Sequence, residues 1–237
     1  MNRAAILAVA SGLLIAGSLA EAHEQGTWVL RAGAGQVSPK SGNLDLGSLD
    51  LGGGLSLDSA SVEVDHGWSL VLSGTYMLTE NWGFDVLASA PFNHDIDVKA
   101  TVTNAGQTAT VRIPLGNTSH LPPTFSLQYH FAPDSQVQPY VGLGVNWTTF
   151  FDEDLTSVAE GAGFQDFSLD DSIGVAVQLG MDLAFSERWL VNFDARWANI
   201  ETDVSATIDV GDGPVTGNLG SVEIDPWVYQ VNLGYRF

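Results

Sequence analysis

The chain of 237 residues has no cysteine and few basic residues, with eight lysines and arginines against 28 aspartates and glutamates. Without cysteine, neither a disulfide framework nor a thiolate metal site is available. The net charge of −20 argues against a nucleic-acid-binding protein, because phosphates demand a basic surface. It also argues against a protein that binds anionic membrane surfaces through a polybasic patch.

Long apolar runs are scarce too, except at the amino terminus. Asn2 and Arg3 form a short cationic start, residues 4–19 are almost wholly apolar or small, and residues 20–22 have the small-x-small pattern of a cleavage site ending at Ala22. This run of 16 residues is shorter than the roughly 20 that a transmembrane anchor needs. We therefore predict a signal peptide over residues 1–22 and one mature domain over residues 23–237.

A period of two dominates the mature chain, with large apolar residues alternating with small or polar ones. This alternation predicts half-buried strands. No other segment reaches the length of a spanning helix, so in a membrane this chain must form a closed barrel, in which the strands satisfy every backbone polar group. The eight alternating segments begin near Trp28, Ser69, Trp82, Thr124, Val141, Ile173, Val191 and Tyr229.

A soluble β-sandwich also alternates, but three features favour a barrel in lipid. The strands are near ten residues long, as a tilted strand crossing hydrocarbon requires. Their second face holds Gly, Ser, Thr, Asn and Gln with few charges, which suits a narrow interior. Aromatic residues lie at the strand ends, as in the girdles of membrane barrels. They are Trp28, Tyr76, Trp82, Phe131, Tyr140, Trp147, Trp189, Trp197 and Trp227.

The connections alternate strictly in length. Residues 79–81, 132–138 and 185–188 form short turns, and long loops cover residues 36–65, 95–121, 152–168 and 208–221. Short periplasmic turns and longer outer loops are typical of outer-membrane barrels. The sequence therefore predicts an all-β fold, an eight-stranded antiparallel transmembrane β-barrel with long extracellular loops and both chain ends in the periplasm.

Most acidic residues lie in or beside the long loops. One interpretation is a solvated outer rim. Another is that divalent cations bridge these carboxylates to outer-membrane lipid and lipopolysaccharide, since hard cations prefer oxygen ligands. The carboxylates have no fixed ligand spacing, so we predict neither a metal site nor a cofactor.

A second set of charges has the parity of the barrel interior, three of each sign. Unpaired charges in a low-dielectric lumen cost several kcal/mol each, so we expect a paired network that obstructs a continuous water pore. Catalytic carboxylates are the alternative, but no histidine has motif spacing to a serine or carboxylate, and we predict no enzyme. The six residues of this predicted network are Arg31, Asp85, Asp182, Asp194, Arg196 and Arg236.

Some inward positions are apolar instead. Val71, Met77 and Leu87 share the lumen-facing parity. An apolar cluster on an outer loop must pack or bind something, so we predict a hydrophobic mouth that leads to an apolar constriction near Leu87. A small loop core against the barrel rim is the alternative. The predicted mouth consists of Leu44, Leu46, Leu49, Leu51, Leu55, Leu57 and Leu121.

The chain resembles the OmpW family of small outer-membrane barrels over nearly the whole mature sequence. The segments that carry the resemblance are ASAPFNHDI (88–96), LPPTFSLQYHF (121–131), PYVGLGVNWTTFFDE (139–153), LDDSIG (169–174), RWLVN (188–192) and DPWV…LGYRF (225–237). The resemblance implies a hydrophobic channel narrowed by an apolar side chain at the position of Leu87. Arg196 departs from what the resemblance implies. An apolar side chain at this position can help to close the channel, whereas the charge of Arg196 makes the floor of the channel more polar.

The carboxyl-terminal run ending in Phe237 resembles the signal read by the barrel-insertion machinery, which implies the outer membrane. Two functions from different classes stay open. One is passive uptake of small apolar molecules through a narrow hydrophobic channel. The alternative is a structural or interaction barrel whose acidic loops are a surface docking or receptor site.

Overall fold

The computed structural model of the chain describes residues 24–40, 42–44, 49–52, 55–209 and 213–237. The predicted signal peptide lies outside these ranges. Across the described part of the chain, no helix is long and apolar enough to cross a bilayer. The elements are β1 (Trp28–Ser38), β2 (Gly42–Leu44), β3 (Leu49–Gly52), β4 (Leu55–Val64), β5 (Gly67–Met77), β6 (Trp82–Ser89), β7 (Phe92–Asn104), β8 (Gln107–Leu121), β9 (Thr124–His130), β10 (Val137–Leu155), α1 (Ser157–Gly161), β11 (Phe164–Leu169), β12 (Ser172–Ala184), β13 (Trp189–Ala198), β14 (Glu201–Asp209), β15 (Pro214–Glu223) and β16 (Trp227–Arg236).

Eight of these strands close into an antiparallel barrel. The order around the ring is β1, β5, β6, β9, β10, β12, β13 and β16, and β16 pairs back with β1. Closure leaves no free edge, so every barrel strand has a partner on both sides. The predicted eight-stranded barrel is therefore confirmed, with the short turns at one end and the long hairpins at the other.

The outer wall of the ring exposes apolar side chains. Leu70, Leu143 and Leu179 are each more than half exposed, which in water would be a large apolar liability and in lipid is the expected outer face. The exposed tryptophans lie at two levels. Trp68, Trp147 and Trp227 stand at the hairpin end, and Trp28, Trp82 and Trp189 at the short-turn end.

Tyr140 does not belong to these girdles, and its sequence assignment was wrong. It has the opposite parity to the lipid-facing Val141, so its ring points inward and is buried. Its hydroxyl donates to Asp194 Oδ2 (2.8 Å) and accepts from Asn192 Nδ2 (2.9 Å).

The predicted long loops are a second correction, because most of their residues are β-strands. The outer half of β10 continues beyond the ring and pairs with β8, which pairs with β7 and then β4. The β7–β8 hairpin turns at Ala105 and Gly106, both with positive φ, as the twist of a two-residue hairpin turn requires. A separate sheet, β11–β14–β15, stands opposite this outer wall. The barrel therefore has a tall β-structured extension outside the membrane.

A glycine makes room for the inward Tyr140. A Cβ built on Gly180 would collide with Cζ and the hydroxyl of the Tyr140 ring, and the two hydrogen bonds of that hydroxyl prevent the ring from turning aside. Such overpacking costs about 1–3 kcal/mol.

We expect Gly180→Ala to lower the free energy of unfolding by that amount, measured by urea titration in phospholipid vesicles. Gly217→Ala is the control, because nothing lies within 4 Å of a Cβ there. Equal effects of the two substitutions would contradict the packing argument.

Candidate functional site

The interior forms a column that is apolar outside the membrane and polar within it. At the top, the two outer sheets enclose an apolar space that we call the upper chamber, a cavity of about 50 Å³. Three of its buried residues come from β4, β7 and β8 and three from β11, β14 and β15, so neither sheet builds it alone. They are Val62, Ile96, Leu115, Phe167, Val204 and Val222.

A smaller cavity of about 20 Å³, the lower chamber, lies where the barrel proper begins. Its buried apolar walls come from β1, β5, β6, β7 and β16, and Arg196 also lines it. Its apolar residues are Val37, Val71, Leu87, Phe92 and Val228.

Two stacked histidines lie between the chambers. The rings of His94 and His120 are 4.9 Å apart, and His120 stacks on Phe92 at 5.4 Å. His94 Nδ1 donates to the carbonyl oxygen of Asp65 (2.6 Å), and its Nε2 is buried without a partner. Burial, with a smaller contribution from the neighbouring His94, lowers the pKa of His120 to about 3. Burial also lowers the pKa of His94, against the raising effect of its hydrogen bond to Asp65.

Below the lower chamber, polar side chains fill the barrel. Arg31 forms a bidentate pair with Asp182, with Nη2 2.5 Å from Oδ2 and Nε 3.1 Å from Oδ1. Arg196 Nη2 donates to Asp85 Oδ2 (3.1 Å). We call these residues, together with Asp194 and Arg236, the polar plug. All six side chains are buried, and pairing is what makes such burial tolerable.

Neutral side chains complete the plug. Asp194 accepts from Gln178 Nε2 (2.7 Å) as well as from Tyr140, and Arg236 donates to Gln138 Oε1 (2.6 Å). The structure therefore buries all six predicted charged residues inside the barrel, where Arg31 pairs with Asp182 and Arg196 with Asp85.

The predicted constriction residues separate into two groups. Val71 and Leu87 meet in the lower chamber, with Arg196 at its floor. Met77 does not join them. It pairs with Gly83 at the short-turn end of β5, six positions from Val71, because strand parity fixes the face of a residue and not its depth.

Of the predicted mouth, the structure describes the side chain of Leu121 alone. Leu121 pairs with Thr149 at the barrel rim and lines neither chamber. Five of the other leucines are strand positions of the outer sheet, and Leu46 lies outside the described residues. Those five are Leu44 on β2, Leu49 and Leu51 on β3, and Leu55 and Leu57 on β4.

Sequence reasoning missed the residues that line the upper chamber. Their signal is the alternation that continues through the predicted loops and beside them, as in Val62 and Val64 within one loop, or Val222 and Ile224 just after another. Within the described ranges, no three acidic or histidine side chains lie close enough together to hold a metal ion.

A closed ring of eight antiparallel strands with a lipid-facing apolar wall and a filled polar interior defines a small outer-membrane β-barrel. The model of the OmpW family matches residues 24–237. Outer membrane protein W of Escherichia coli K12 is 39% identical over 239 residues, covering 100% of each chain. This chain therefore belongs to the OmpW family and is a protein of the outer membrane.

Two further likenesses support this assignment. The crystal structure of the outer membrane protein OprG from Pseudomonas aeruginosa superposes with a TM-score of 0.73 at 35% identity, covering 91% of this chain and 98% of that one. The dibenzothiophene metabolism operon protein PahQ of Pseudomonas aeruginosa is 23% identical over 214 residues, covering 90% of each chain. The first of these is an outer membrane protein, and the second is named for an operon of dibenzothiophene metabolism.

The depressed histidine pKa predicts acid sensitivity of the outer wall. His120 stays neutral in the folded state, whereas in the unfolded chain it protonates near pH 6.5. Stability is therefore lost as the pH falls below about 6.5, at roughly 1.4 kcal/mol per pH unit while the folded histidine resists protonation.

We expect His120→Phe to lose less stability than the parent protein between pH 6.5 and 4, in urea titrations followed by tryptophan fluorescence. His66→Phe is the control, because His66 is exposed, and it should keep the parent pH dependence. A His120→Phe profile parallel to that of the parent would contradict the assignment.

Proposed function

We propose that this barrel takes up small apolar molecules from outside the cell through the two chambers and releases them sideways into the membrane. The observation that supports this most is the change of lining along the axis. The chambers are walled by valine, isoleucine, leucine and phenylalanine, and the column below them is charged. Burial stabilises an apolar solute by about 25 cal/mol for each Å² of apolar surface removed from water. We therefore expect the solute to bind in the chambers and not in the charged plug.

The polar plug supports a sideways exit. An apolar molecule moving further down the axis would have to separate Arg196 from Asp85 or Arg31 from Asp182. Breaking one partner away from a buried pair costs about 3–5 kcal/mol. The route through the wall of the lower chamber avoids this cost.

One seam in that wall lacks backbone pairing at the right depth. Pairing between β6 and β9 ends at Leu87 and Thr124. Pro122 and Pro123 follow on the β9 side and have no backbone N–H to donate. Ser89 and Pro122, on opposite sides of this seam, both line the lower chamber. A solute held there faces lipid across side chains rather than across a hydrogen-bonded ladder.

The name of PahQ is consistent with this proposal, since it connects one relative to an operon for the metabolism of dibenzothiophene, which is apolar and aromatic. For this chain we use a hydrocarbon of the same kind as the probe.

Leu87→Asp should slow uptake of naphthalene at least tenfold in cells whose lipopolysaccharide limits unaided passage. A carboxylate in the apolar wall costs several kcal/mol to desolvate, and about 1.4 kcal/mol is a tenfold change in rate. Uptake is measured as the initial loss of naphthalene fluorescence from the medium at matched protein levels.

Val111→Asp is the matched control, because Val111 is exposed on the outer hairpin and lines neither chamber. Both variants must show the heat-dependent gel shift of a folded barrel. Unchanged uptake in Leu87→Asp would refute the channel and leave the docking function as the better explanation.

A disulfide across the seam should slow release. Val86 and Phe125 are backbone partners on the two strands, at a spacing that suits a disulfide, and the chain has no native cysteine to interfere. The oxidised Val86→Cys/Phe125→Cys protein should take up naphthalene more slowly, and reductant should restore the rate.

The control disulfide joins Val145→Cys to Val175→Cys, which are partners on β10 and β12. It should not change uptake. If both disulfides act alike, or neither acts, release does not occur at the β6–β9 seam.

A further inference from the structure

The floor of the lower chamber holds a cationic donor whose hydrogen bonds are incomplete. Arg196 is buried, and its Nη2 donates to Asp85. Its Nε lies 3.7 Å from Asp194 Oδ1, too far for a hydrogen bond. Its Nη1 is fully buried and has no partner. A buried donor without an acceptor destabilises the protein, and more so when it is charged.

Asn146, a second polar residue that lines this cavity, hydrogen-bonds to other protein groups and not to Arg196. Asn146 Nδ2 donates to Thr124 Oγ1 (3.0 Å) and to the carbonyl oxygen of Pro122 (3.2 Å). Asn146 Oδ1 accepts from Thr148 (2.7 Å). None of these groups accepts a hydrogen bond from the guanidinium, although Pro122, Thr124 and Asn146 line the same cavity.

The charge of the plug decides what kind of acceptor fits. The plug holds three arginines and three aspartates, so its formal charge is zero. A carboxylate ligand would bring an unmatched charge into a buried site, which is strongly unfavourable. An uncharged oxygen would accept from Nη1 without that cost.

We propose that the lower chamber is a binding site for small apolar molecules with one uncharged oxygen acceptor, such as ketones, aldehydes or alcohols. The apolar body packs against Leu87 and Val71, and the oxygen accepts a hydrogen bond from Arg196 Nη1. This inference rests on the proposed uptake function and names its preferred class of solute. Plain hydrocarbons pass through the same chamber and leave Nη1 without an acceptor.

Ser89 extends the site toward the seam. Its hydroxyl is buried without a partner and lines the lower chamber. A solute oxygen that leaves Arg196 on the way to lipid meets this hydroxyl next, which favours oxygenated molecules along the whole exit.

The test compares 2-octanone with octane, added at equal mole fraction to the full mature barrel in lipid nanodiscs. The readouts are the side-chain Nε–H signal of Arg196 and the methyl signals of Leu87 and Val71 by NMR. We expect both probes to shift the methyl signals, only the ketone to shift the Arg196 signal, and the ketone to bind at least tenfold more tightly.

Equal affinities with an unmoved Arg196 signal would overturn this inference and leave the proposed uptake function intact. No methyl shift with either probe would overturn both. Octanoate is the third probe, and binding tighter than that of the ketone would show that the site prefers an anion.

Arg196→Lys keeps the positive charge toward Asp85 but removes the second Nη donor. It should lose the preference for the ketone and keep the affinity for octane. Arg236→Lys is the matched control, because Arg236 is a buried plug arginine that does not line the lower chamber. Arg236→Lys should keep the tenfold preference for the ketone. Loss of this preference in Arg236→Lys would also contradict the proposal.

Discussion

Closure of the backbone hydrogen-bond ring is the constraint on which the rest of the molecule depends. Hydrocarbon offers no partner to an N–H or C=O group, so the strands must satisfy one another all the way around. A ring of only eight strands leaves an interior that side chains can fill. Alternation then places every second residue inside, and the identity of those residues decides whether the barrel is a pore, a plug or a pocket.

The interior of this barrel is divided by depth. Within the lipid belt, inward charges pair across the ring, as Arg31 does with Asp182. At the hairpin end the inward residues become apolar, as at Val71 and Leu87. This order places an apolar space directly above a buried layer of paired charges. In the uptake proposed above, this order is what favours an exit through the wall of the barrel.

The fold was largely predictable because lipid imposes a simple rule on each strand. Leu70 and Leu72 face outward and Ser73 and Thr75 inward, as their parity requires. Depth and distance across the barrel were not predictable. Met77 faces inward, as its parity predicts, but it lies at the short-turn end of the barrel and not beside Val71 and Leu87 in the lower chamber.

The outer wall shows where such reasoning ends. Its strands carry charged and small residues on a solvated face, so the sequence predicts loops around Val62 and Ile96, where the structure has β4 and β7. The stack of His94 and His120 joins residues 26 positions apart in the chain. Only the register of β7 with β8 brings them together, and no local motif encodes that register.

The height of the outer wall has a consequence for the cell surface. β10 is 19 residues long, and at about 3.3 Å per residue it extends roughly 60 Å along its own axis, about twice the hydrocarbon thickness of about 30 Å. The upper chamber therefore stands above the membrane surface rather than within it. In the uptake proposed above, the height of the outer wall sets how far from the bilayer an apolar solute first meets an apolar surface.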